Sequence, residues 1–163
     1  MVNDKNKKQV KSNISFKVSP LKIEVIKEVL PDFDKNQFRQ TTFKIYKGIQ
    51  EAWMEFDYET LKENTTNELY NTYRSELIAL KAKKQKNIMK DFELLDFEIV
   101  DMEKGIENVS LKIRALIKCY DYVIDKNEKV VRGSDKRKVV YNYEMTFTKG
   151  LNENNNKCPN CNA

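Results

Sequence analysis

The sequence holds no histidine in 163 residues. Serine–histidine–aspartate and cysteine–histidine catalysis are thereby excluded within the chain, and so are metal sites of the two-Cys two-His kind. Acid–base chemistry would have to rest on Asp, Glu, Tyr, Lys or Cys. Four glycines and three prolines argue against a low-complexity middle. Cysteine is also scarce: of three, Cys158 and Cys161 sit near the end. An odd number in that arrangement does not suggest a disulfide framework, and a reducing compartment fits better. No apolar run is long enough to span a bilayer. No hydrophobic signal region follows the polar start, so secretion is not expected.

What is present suits one soluble domain with short tails: 40% hydrophobic and 34% charged residues, with Lys and Arg at 30 against Asp and Glu at 25. The net charge of +5 falls short of the dense positive field of a dedicated nucleic-acid binder. It favours an acidic protein partner or an anionic membrane surface, and it does not favour RNA.

Along the chain, residues 1–18 read as a flexible lead, with Ile14, Phe16 and Val18 alternating as in an edge strand. Ser19-Pro20 carries a helix-start signal for the segment up to Leu30, which Pro31 ends. Asp34 with Gln37 has capping-box spacing. The stripe Phe38, Thr42, Ile45, Ile49, Trp53 then predicts an amphipathic helix. A break at Phe56-Asp57 leads into a short turn at residues 58–61. Thr65 with Glu68 predicts the cap of a further helix running towards Lys84.

Beyond Asn87 the period becomes two. Residues 92–102 are strand formers with apolar positions on both faces. Val109, Leu111, Ile113, Ala115, Ile117 and Cys119 alternate with Lys112, Arg114 and Lys118, and Val139 to Phe147 repeats the pattern. Asp125-Lys126-Asn127-Glu128 and Glu103-Lys104-Gly105 are short enough for hairpins, with Arg132, Lys136 and Arg137 in the turn beside the last strand. Helices first and a meander second predict an α+β fold over residues 19–150, its helices covering the odd-numbered sheet face. Residues 151–163 read as an Asn-rich linker leading into Cys158-Pro159-Asn160-Cys161.

Asp34 and Phe38, Ala52-Trp53, Asp57 and Leu61, Thr66-Asn67-Glu68-Leu69-Tyr70, and Asn87 before the meander together resemble the Tim44-like domain, over roughly residues 31–149. The family takes its name from a subunit of the mitochondrial inner-membrane protein translocase. The resemblance implies a cone like that of nuclear transport factor two, with helices curled over a bent antiparallel sheet around an apolar pocket. It also implies membrane-peripheral adaptor work, in a bacterial or bacterial-like homologue. Trp53 is the single Trp, so the Trp-x-Leu closing strand of that family is missing.

Four groups of residues are candidates for chemistry or binding. Cys158 and Cys161 have the gap with which two thiolates grip a tetrahedral zinc. Four ligands close such a site, so this is half of one: a truncated ribbon, a metal shared between chains, or an inert tail. An apolar cone with an acid inside would centre on Asp121, in register with Ile113 and Ile117. Trp53, Tyr141 and Tyr143 would line it as a small-molecule pocket, with isomerase or hydrolase chemistry as the enzymatic version. The opposing reading leaves Asp121 at a frayed strand end, with the tyrosines as core fillers. Lys112, Arg114, Lys118 and Lys138 form a basic sheet face for anionic lipid, or a merely solvated one. Leu21, Val25 and Val29 form a stripe edged by Lys22 and Lys27 that docks on a membrane, on a partner, or on its own domain.

The expectation drawn from these readings is a non-enzymatic binding module, cytoplasmic or peripheral to the inner face of the cell membrane. A small hydrophobic ligand, a homodimer and a zinc-dependent adaptor stay open as alternatives.

Overall fold

The computed structural model describes residues 3–4, 8–9 and 19–151; the expected edge strand at residues 13–18 and the Cys-rich end lie outside these. Two short strands, β1 (Asn3–Asp4) and β2 (Lys8–Gln9), precede four helices: α1 (Ile23–Val29), α2 (Lys35–Met54), α3 (Tyr58–Asn64) and α4 (Asn67–Ala82). Three long strands follow, β3 (Lys86–Lys104), β4 (Asn108–Ile124) and β5 (Val130–Gly150). All pairings are antiparallel in the order β1-β5-β4-β3, with β2 also on β5. This is the expected α+β fold.

Local chemistry explains most element boundaries. Asp34 caps α2 by accepting from the Gln37 amide at 2.7 Å. Asp57 caps α3 through the Thr60 amide at 3.1 Å, so the segment expected as a turn is a helix. The cap of α4 is Thr66, which accepts from Leu69 N at 3.1 Å. Its neighbour Thr65 turns inward and donates to the Leu61 carbonyl instead. The expected box was therefore one residue early. Ser19 and Pro20 do not start α1 either. Lys22 is its N-cap, because Leu21 stays extended and its amide donates to the Ile99 carbonyl of β3 at 2.8 Å.

Helices α2 and α4 both close without glycine. Phe56 (φ 56) and Lys84 (φ 53) occupy the left-handed position after each helix, with Asp57 N bonded to Ala52 O and Gln85 N to Leu80 O. The β4–β5 hairpin turns similarly, with Glu128 at φ 61. The Asp125 carboxylate there accepts from the amides of Asn127 and Lys129.

The sheet buries one face against α2 and α4, and α3 packs on those two helices. On β4, Val109, Leu111, Ile113, Ala115, Ile117 and Cys119 are all buried, whereas the even-numbered residues between them are half-exposed. On β5, Tyr143, Met145 and Phe147 are buried likewise. The odd-numbered face is thus the one that meets the helices, as the alternation predicts.

Strand β3 follows a different rule. Its pairing with β4 slips at Lys90/Glu93, Leu94/Asp96 and Ile99/Asp101. Each bulge resets which parity points inward, so Leu94, Phe97, Ile99 and Met102 all reach the core while Leu95 is 51% exposed. Asp96 and Asp101 stand at two of these slips, where each carboxylate accepts from the next residue's amide. The two-faced apolar pattern of residues 92–102 is the sequence trace of a bulged strand. Arg132, Lys136 and Arg137 lie within β5 rather than in a turn, and the strand is wrapped around a wide bulge: Asp121 pairs with Ser134 while Cys119 pairs with Val139.

Candidate functional site

The interior expected as a pocket is filled. Between α2 and the sheet, Thr42, Phe43, Tyr46, Leu94, Phe97, Ile113, Ala115, Ile117 and Met145 leave no room for a water molecule. Ile113 and Ile117 are each 1% exposed and are packing residues. Tyr143 is equally buried, and its hydroxyl lies 2.9 Å from that of Tyr46 on α2.

At the β4–β5 bulge the remaining candidates meet in a chain of hydrogen bonds. Trp53 Nε1 donates to Asn87 Oδ1 at 2.9 Å. Asn87 Nδ2 donates to Asp121 Oδ1 and to the Tyr122 carbonyl, both at 2.8 Å. The Tyr141 hydroxyl donates to Asp121 Oδ2 at 2.5 Å. Asp121 is therefore neither frayed nor facing water alone. Burial and the adjacent Asp121 carboxylate push the Tyr141 hydroxyl well above the ordinary tyrosine range, which keeps it protonated as a donor. Chemically the arrangement is a satisfied brace between helix α2, strand β3 and the bulge, because each carboxylate oxygen is engaged by a neighbour. Asn87 and Tyr46 complete these contacts and were not candidates for the site from the sequence. Asn87 entered only as one of the residues that carry the family resemblance, and its register opposite Val123 turns it inward.

Lys112, Arg114, Lys118 and Lys138 do share the outer sheet face, but flanking strands supply acids. Glu93, Glu98 and Asp101 of β3 stand opposite Lys118, Arg114 and Lys112. Glu144 of β5 reaches Lys112 at 3.5 Å and Arg114 at 3.4 Å. Glu93 holds Lys138 at 2.8 Å, an ion pair that lowers the glutamate pKa and raises that of the lysine. The row is a compensated ladder of charge.

An open site lies at the other end of the sheet. A groove of about 660 Å³ runs between the α1–α2 connection, the first turns of α2, and the sheet where β4 begins and β5 ends. Leu30, Phe33, Phe38, Ile45, Leu111 and Phe147 give it apolar walls, while Asp32, Asp34 and Lys149 line it alongside them. Phe38 sits edge-on to both Phe97 and Phe147, so its inner wall is continuous with the core. Pro31 and Asp34 create the groove: the proline ends α1 and the aspartate restarts the chain as α2, which leaves the connecting turn raised over the sheet.

Among the described residues no cluster of three Cys, Asp or Glu is placed to hold a metal, and Cys119 is buried on the inner face of β4. Cys158 and Cys161 fall outside the described residues. Among the described residues no helix is long and apolar enough to cross a membrane.

No curated protein matches the chain. The family model of the Tim44-like domain matches residues 21–157. That span takes in all four helices and the three long strands, so the cone, its filled interior and its groove fall within one family unit. The chain belongs to the Tim44-like domain family.

Proposed function

We propose that this chain is a non-enzymatic adaptor, peripheral to a membrane, that holds an apolar segment of a partner protein in the groove beside α2. The observation that carries this reading is the contrast within one molecule. The centre of the cone is packed shut, whereas about 660 Å³ stays open between Leu30, Phe38, Leu111 and Phe147. An apolar wall of this kind gains most by covering a hydrophobic partner. Asp32 and Asp34 at the opening suit Lys or Arg flanking that apolar segment. Membership of the Tim44-like family supports the membrane-peripheral part, and the inner face of the cell membrane is the place of action that we assign to it. The engagement of Asp121 by Tyr141 and Asn87 supports a structural rather than an acid–base role for that carboxylate.

A designed amphipathic peptide alternating Leu with Lys, and its Leu–Glu counterpart, test the docking claim by fluorescence anisotropy. Thr41 lines the groove at an exposed position, so Thr41→Arg adds bulk and positive charge there without disturbing the core. The basic peptide is expected to bind in preference to the acidic one and to weaken at least tenfold in Thr41→Arg. Equal binding of the two peptides, or indifference to the substitution, removes the groove from consideration.

A further inference from the structure

Two lysine-rich turns that are far apart in sequence are brought together by the sheet. Strand β3 starts at Lys86 directly opposite Ile124. Lys86 therefore stands one strand spacing, about 5 Å, from Ile124, with the end of α4 and its Lys81, Lys83 and Lys84 just before it in the chain and the β4–β5 turn just after Ile124. That hairpin carries Lys126, Lys129, Arg132, Lys136, Arg137 and Lys138 against Asp125, Glu128 and Asp135. Asp125 is turned onto backbone amides. Among the described residues, ion pairs engage Lys86, with Glu55, and Lys138, with Glu93. The other bases of both turns are exposed and form no ion pair with another described residue. Unlike the outer sheet face, this end of the molecule carries uncompensated positive charge.

We infer that this end is the surface that meets an anionic membrane, leaving the groove at the opposite end of β4 free for the protein partner. The inference rests on the membrane-peripheral reading above and assigns the surface responsible. Charge complementarity supplies the attraction, and the apolar detail favours lipid over nucleic acid. Val131 is 45% exposed among these bases, and the half-exposed Tyr120 and Tyr122 lie at the same level, as interfacial side chains do. A single strand of nucleic acid needs bare ring faces in a channel. Here Lys90 Nζ and Lys138 Nζ cover the Tyr120 ring at 5.7 and 5.4 Å, and the bases sit on protruding turns. Val109 at the groove and Ile124 at the basic end are opposite ends of one strand, at most about 50 Å apart at strand rise. A partner can occupy the groove without touching lipid.

Flotation on phosphatidylcholine vesicles with and without phosphatidylglycerol, at about 0.1 M salt where screening reaches about 10 Å, tests the assignment. The variant Lys83→Glu/Lys84→Glu/Lys126→Glu/Lys129→Glu is compared with Arg39→Glu/Lys44→Glu/Lys62→Glu/Lys104→Glu. The second changes four exposed bases elsewhere and alters net charge equally. Circular dichroism checks folding of both. Wild type and the second variant are expected to float with phosphatidylglycerol vesicles alone, and the first to bind at least tenfold more weakly. If both variants fall alike, or the first floats as wild type does, the assignment of this surface is wrong while membrane binding stands. If wild type ignores vesicles, or binds a single-stranded oligonucleotide in their place, the membrane-peripheral reading fails as well.

Discussion

The hydroxyl of Tyr141 stays protonated in the fold because burial and the Asp121 carboxylate, 2.5 Å away, both oppose its ionisation. The folded-state pKa is therefore raised above the unfolded value. The resulting stability is fully present below about pH 10 and is lost as pH rises beyond it, since the unfolded chain then releases a proton that the native state retains. In urea unfolding measured from neutral pH to above 10, Tyr141→Phe is expected to lose stability at neutral pH but to show a shallower alkaline decline than wild type. Parallel declines would mean that Tyr141 is not held by Asp121. The two other partners in this brace differ in how readable they are. Asp121 is visible in sequence as an acid in register with buried positions, whereas Asn87 is one polar residue at a helix-to-strand boundary. Its partners, Trp53 and Asp121, are each 34 positions away. Gly133 is similar: its φ of 76 and the Asp121 carbonyl 2.5 Å from where a Cβ would stand make glycine necessary. That need arises from the strand opposite and not from its neighbours in sequence.

Helices show what local chemistry can and cannot fix. Asp34, Asp57 and Thr66 accept from amides three residues on, and such caps are legible because donor and acceptor are close in the chain. Helix ends were harder to read. With Phe56 and Lys84 in the left-handed position, there is no glycine to mark the stop. The single helical glycine is instead internal: Gly48 lies inside α2, and nothing stands within 4 Å of where its Cβ would be. Gly48→Ala is expected to stabilise the protein by about 1 kcal/mol, read as a higher urea midpoint with an unchanged slope. No gain would indicate an unfavourable contact that the helix now avoids. Strand β3 illustrates the reverse limit. Three slips in register change its inward parity, and alternation read residue by residue cannot follow a bulge whose partner lies on β4.

The molecule as a whole separates burial from charge. On β4, Ile113 is 1% exposed, while its neighbours Lys112 and Arg114 keep 41% and 36% of their side chains in solvent. Ile113→Ala is expected to cost about 2–5 kcal/mol through lost burial and a cavity. Lys112→Ala and Arg114→Ala should each cost no more than about 1 kcal/mol, because exposed pairs with Glu144 are screened and entropically expensive. Denaturant unfolding of the three variants checks this, and comparable losses at all three would reverse the orientation of the sheet. The same separation sets the binding surfaces apart. The basic row on the outer sheet face is answered by acids on both flanking strands, while the bases at the β4–β5 turn and the end of α4 are not. The apolar groove lies away from both.

By itself the sequence determined that helices come first and a meander second, the inward parity of β4 and β5, the Asp34 cap of α2 and membership of the Tim44-like family. Each of these follows from side-chain period or from partners a few residues apart, where backbone geometry leaves little choice. Tertiary structure alone decided that the cone is filled at its centre and open beside α2, that Asp121 is engaged by Asn87 and Tyr141, and that the sheet-face bases are neutralised while those at the turns are not. All of these depend on which strand lies beside which, and at what register. Such distances are set by packing and bulges between segments dozens of residues apart, and no local pattern encodes them.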